Sequence, residues 1–124
     1  MPILQCSFYP YKCFPLNQSQ VLIASVTGGD GTVLNVYATP GYNSCKLVPV
    51  YKLVLIPGNG ITIGAATANI QYQTKKHKCR CECANYMFTQ GTVPGQFVSQ
   101  FSLCKKPKKC CPIFLTVTYT TLVV

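Results

Sequence analysis

The sequence predicts an all-β protein, a single β-sandwich in the form of an eight-stranded jelly roll, with an extended N-terminal arm. Three observations lead there. Tyr, Thr and Val are plentiful while Asp30 and Glu82 are the only acids, so strand formers outnumber strong helix formers. No window carries apolar residues at the 3.6-residue helical repeat between capping residues. About eight β-like runs follow one another at short spacing, with Gly/Pro turns between them, which is the strand count of a jelly roll. The 124 residues make one domain by size, long enough to bury a core.

The elements come in order. Residues 1–18, MPILQCSFYPYKCFPLNQ, show no clear periodicity and hold Cys6 and Cys13; they read as the arm, with the sandwich domain over 19–124. QVLIASV (20–26) reads as a buried strand, TGGDG as a turn, and TVLNVYA (32–38) as the returning strand of a hairpin. TPGYNS is expected to break the chain before CKLVPVYKLVLI (45–56), a long strand in which Pro49 argues for an edge position or a bend. PGNG (57–60) turns the chain into ITIGAATANIQYQT (61–74), which resumes β-like composition. QGTVPG (90–95) is a loop and QFVSQFSL (96–103) alternates apolar and polar residues. In the last segment Ile113, Leu115, Val117 and Tyr119 share one face, and Phe114, Thr116, Thr118 and Thr120 the other.

Nine cysteines, at 6, 13, 45, 79, 81, 83, 104, 110 and 111, point to disulfides or metal, and the odd count leaves at least one thiol free or for a partner chain. On an extended strand Cys79, Cys81 and Cys83 would share a face at a spacing of roughly 6.5 to 7 Å. A disulfide needs Cβ atoms about 3.5 to 4.5 Å apart. Each of the three must therefore seek a sulfur on another strand, on the arm or on another molecule. The spacings C-x-C-x-C and C-x₅-C-C, with His77 as the sole histidine, do not match the C-x₂₋₄-C knuckles that wrap zinc, and no metal or other cofactor is expected. C-x-x-C is absent, and the histidine sits in a lysine run without an orienting partner, so neither a thioredoxin-type nor a cysteine-nucleophile enzyme is expected. The cysteines read as staples.

The net charge of +9 has no internal counterweight. Eight basic residues fall in two runs beside cysteines: Lys75, Lys76, Lys78 and Arg80, then Lys105, Lys106, Lys108 and Lys109. A solvated face is the plainest reading, with an acidic coat or anionic glycan as a partner that would neutralise them. Nearby positive charge also stabilises thiolate, the form that attacks disulfides. Nucleic acid is a less favoured partner, since no helix-turn-helix, RNP or zinc-finger signature is present and the tyrosines lie mostly outside the lysine runs. The start, MPILQCSFYP, has neither a basic n-region nor an apolar h-region, and PIFLTVTYTTLVV is too short and Thr-rich for a membrane span.

The arm MPILQCSFYPYKC, the β-rich centre, the vicinal pair Cys110–Cys111 and the alternating terminal strand IFLTVTYTTLVV together resemble the subunits of bacterial endospore appendages and related spore-surface fibres. These are small jelly-roll proteins with Cys-bearing N-terminal arms that join neighbouring subunits through disulfides. The resemblance implies a pilus-like homopolymer, extracellular or on the spore surface, assembled in the mother cell before release. It further implies assembly by sheet augmentation, with Cys6 or Cys13 bonding to acceptors among Cys79, Cys81, Cys83, Cys104, Cys110 and Cys111 of the adjacent copy. The alternatives are a monomeric basic Cys-rich module for nucleic acid or anionic glycan, and a viral coat protein.

Overall fold

In the computed structural model the chain is described over residues 3–9, 20–43, 46–73, 81–102 and 112–122, with side chains for all of these except 40–43, 46–49, 73 and 81–84. The described elements are β1 (Ile3–Phe8), β2 (Val21–Thr27), β3 (Val33–Asn43), β4 (Lys46–Ile56), β5 (Thr62–Gln73), β6 (Cys81–Met87), β7 (Thr89–Gln90), β8 (Phe97–Phe101) and β9 (Ile113–Leu122). They form two antiparallel sheets, sheet A in the order β1-β9-β5-β6 and sheet B in the order β2-β3-β4-β8-β7. The sheets pack face to face as a β-sandwich. β1 meets β2 across the sandwich on one side, and β6 meets β8 on the other.

Alternation builds the core. Leu34, Val36 and Ala38 of β3, Tyr51, Leu53 and Leu55 of β4, and Ile113, Leu115, Val117 and Tyr119 of β9 are all buried at every second position. Each fully buried large apolar side chain contributes about 1.5–3 kcal/mol of transfer free energy. Phe8, Tyr51, Phe101 and Tyr86 form an aromatic chain, with ring centroids 5.3, 5.1 and 5.5 Å apart in turn. It ties β1 and β6 of sheet A to β4 and β8 of sheet B.

Two expectations are revised and a third is not confirmed. Residues 3–8, read as part of the arm, form β1 and pair with β9 from Ile3↔Thr118 to Phe8↔Ile113; Leu4 and Phe8 are buried and Cys6 half-buried between them. The alternation is real but only six residues long, and a cysteine stands at its centre. TPGYNS does not break the chain. β3 continues through it to Asn43, with Pro40 opposite Pro49. β2 begins opposite Ala38 and β8 ends opposite Tyr51, so among the described strands no third one asks either proline for an N–H. The eight-stranded jelly roll is not confirmed: nine strands are described, in the orders β1-β9-β5-β6 and β2-β3-β4-β8-β7.

At one end of the sandwich the two sheets are locked by polar groups. The Thr32 N–H donates to Asp30 Oδ1 at 2.9 Å and the Tyr119 hydroxyl donates to Asp30 Oδ2 at 2.8 Å. The Gly58 N–H donates to Thr32 Oγ1 at 3.3 Å. Three segments distant in sequence thereby share one carboxylate and one hydroxyl. Gly58 is required by this approach: a Cβ there would lie 2.3 Å from the Asp30 carbonyl oxygen.

Candidate functional site: the open edges of sheet A

An edge strand presents a row of unpaired N–H and C=O groups that can template a further strand. Among the described strands, sheet A ends in β1 and β6, and sheet B in β2 and β7. The four edges differ. β2 is irregular, with a register shift between Leu22 and Ala24, and bulges of that kind twist an edge away from pairing. β7 has two residues. β6 carries one charge, Glu82, over seven residues, and β1 (ILQCSF) has neither a charge nor a proline. The least guarded edges belong to sheet A.

Strand parity sharpens the contrast. Every neighbouring pair in sheet A is antiparallel, so with four strands β1 and β6 run in opposite directions. A copy shifted sideways would set its β1 antiparallel to the first copy's β6 and continue the pattern. In the five-stranded sheet B, also antiparallel throughout, the two edges run the same way. The same shift would force a parallel junction, which is slightly less stable per residue.

Both edges of sheet A carry cysteine. Cys6 is a free, half-buried thiol on β1 opposite Leu115, packed against the core from the inward row of Leu4 and Phe8. Burial raises its pKa, which keeps it protonated and a weak nucleophile. Cys81 and Cys83 lie on β6 opposite Gln73 and Gln71. They occupy the register of Asn85 and Met87, which are exposed. Directly opposed residues of an antiparallel pair share a face. By backbone register Cys6, Leu115, Ile70 and Ala84 share one row, so an unstaggered β1–β6 junction sets Cys6 opposite Ala84 and not opposite position 81 or 83.

The remaining predicted residues, Cys13, Cys79, Cys104, Cys110, Cys111 and the basic runs Lys75, Lys76, Lys78, Arg80 and Lys105, Lys106, Lys108, Lys109, lie outside the described residues, as do Cys45 and His77. The two acids are far apart. Asp30 is bound to Tyr119, which pairs with Ala66, while Glu82 pairs with Tyr72; six residues of extended β5 separate these levels, roughly 20 Å. No two-carboxylate centre results. Among the described residues no three His, Cys, Asp or Glu side chains gather as a metal site, and no helix is long and apolar enough to cross a membrane. Sequence reasoning took TGGDG for a turn and missed the Asp30 lock, because its partner Tyr119 is 89 positions away. Compared with known proteins, the chain matches no family model, no curated protein and no solved structure.

Proposed function

We propose that this chain is a structural subunit that self-assembles, by extension of sheet A, into a disulfide-cross-linked fibre outside the cell or on a spore surface. The observation that supports this reading is the pair of sparsely guarded edges of one even-stranded sheet, opposite in direction and both bearing cysteine. β6 of one copy lies beside β1 of the next, and main-chain hydrogen bonds hold the junction, as in strand addition. The contact is heterologous and does not close on itself, so it propagates as an open filament.

Register supports one form of the covalent part. In an unstaggered junction the row Ser7–Phe114–Gln71–Cys83 continues from copy to copy, and so does the row Cys6–Leu115–Ile70–Ala84. Cys83 then meets the neighbour's Ser7, and Cys6 meets Ala84. Of the two N-terminal cysteines, Cys13 is therefore the better donor. The chain runs on toward it from Phe8, at the end of the sheet where β6 begins with Cys81. No catalysis belongs to this reading.

Gel electrophoresis with and without reductant, followed by negative-stain microscopy, tests it. A ladder or gel-excluded material that collapses to one band on reduction and heating, with filaments in the micrographs, is the expected result. A monomer under both conditions without filaments contradicts it.

A further inference from the structure

The outward face of sheet A holds a groove of about 420 Å³ lined by Gln5, Ser7, Gln71, Phe114 and Thr116, with Cys6 and Leu115 at its floor. We infer that this groove binds a neutral saccharide, a use of the protein that does not depend on its assembly.

The strand register builds the site. Ser7, Phe114 and Gln71 stand side by side on β1, β9 and β5, and Gln5, Thr116 and Asn69 form the next row. Neighbours within a row are about 4.8 Å apart, and rows on the same face follow at roughly 6.5 to 7 Å. A phenyl ring is thus framed by amides and hydroxyls at the spacing of a pyranose ring and its substituents. The second row ends in an amide pair, Asn69 Nδ2 donating to Asn85 Oδ1 at 2.9 Å. That pair gives the polar grid a fixed far side.

Chemistry selects the ligand class. Phe114 is 50% exposed and lies outside the core, so about half of its apolar surface is free to meet a partner. The glutamine amides offer both donors and acceptors, and the hydroxyls of Ser7 and Thr116 offer the same in smaller form. In a chain of net charge +9, none of the lining residues is charged. Among the described residues a phosphate or sulfate would find no cation here, and a purely apolar ligand would strand the polar rim. A sugar ring has an apolar C–H face and an equatorial rim of hydroxyls, which matches a ring framed by amides. The volume falls within the ~300–1,000 Å³ of small-molecule sites. In a fibre the groove would repeat once per copy, and binding would gain from multivalency.

The test uses reduced full-length protein, together with an Ile3→Lys/Tyr9→Lys variant that blocks the β1 edge and leaves the lining residues intact. Calorimetry would be run against a β-1,4-linked glucose hexamer, a β-1,4-linked N-acetylglucosamine tetramer, a mannose trisaccharide and a sulfated heparin oligosaccharide. We expect at least one neutral oligosaccharide to bind both proteins, with an affinity unchanged between about 50 and 500 mM salt, as befits an uncharged contact. Phe114→Ala should weaken it about tenfold or more, and Gln71→Ala about threefold or more, while Phe114→Tyr retains it. A thermal melt of Phe114→Ala matching wild type separates loss of the ring from loss of the fold; should it melt early, the Gln71→Ala and Phe114→Tyr results decide. Binding of the heparin oligosaccharide alone, binding that survives both alanine changes, or no neutral binding would overturn the inference.

Discussion

The carboxylate of Asp30 receives one hydrogen bond from the turn that carries it and one from Tyr119 in the opposite sheet. Its pKa is held below the ordinary carboxylate range, chiefly by the Thr32 backbone N–H and further by the Tyr119 hydroxyl. A folded pKa below the unfolded value of about 3.9 contributes stability that is complete above that value and disappears as pH falls through the folded pKa. Stability should therefore decline below about pH 4, and Asp30→Asn should flatten that decline while lowering the neutral-pH melting temperature. Because Asp30 is exposed, solvent screens the effect and keeps it small. The glycines nearby give a steeper test. Gly58→Ala must push two backbone segments apart and should cost about 2–3 kcal/mol in denaturant unfolding. At Gly29 an added Cβ meets nothing within 4 Å, so Gly29→Ala should be neutral or stabilising by up to about 1 kcal/mol. Equal effects at the two positions would contradict the docked-turn geometry.

At the scale of single strands, β1 decides most. It extends the inward row of β9 with Leu4, Cys6 and Phe8, and among the described strands none pairs with its other edge. Lysines at Ile3 and Tyr9, both exposed, add long charged side chains to that edge, a common guard against strand addition. The Ile3→Lys/Tyr9→Lys protein should melt near wild type yet remain monomeric by light scattering. Filaments of unchanged abundance would remove β1 from the junction. Parity gives a second expectation: Cys6→Ser should leave the non-reduced ladder in place, whereas Cys13→Ser or Cys81→Ser/Cys83→Ser should thin it. Alkylation reads the same difference in the monomer, with the half-buried, protonated Cys6 reacting more slowly in native protein than once unfolded.

Over the whole molecule, what the sequence disclosed follows from how far each signal reaches along the chain. β9 and the long strands β4 and β5 were legible because ten to twelve residues of local composition and alternation announce them. β1 was not, since Leu4, Cys6 and Phe8 are too few to stand out and only the pairing with β9, more than a hundred residues later, makes them a strand. TPG read as a break because the matching proline that makes it tolerable lies on the facing strand. The site divides the same way. Alternate cysteines on extended backbone were foreseen, and β6 carries Cys81 and Cys83 two residues apart. Which edge faces which, and which row each cysteine occupies, are properties of strand order, and local patterning contains no strand order.

Mass spectrometry of disulfide-linked peptides from an oxidised assembly of mixed ¹⁴N and ¹⁵N copies tests edge-to-edge growth most directly, because mixed-mass pairs arise only between chains. Mixed-mass pairs joining the peptide with Cys13 to the one with Cys81 and Cys83 are the expected result. Pairs of uniform mass only, with every bonded cysteine satisfied inside its own chain, would contradict it.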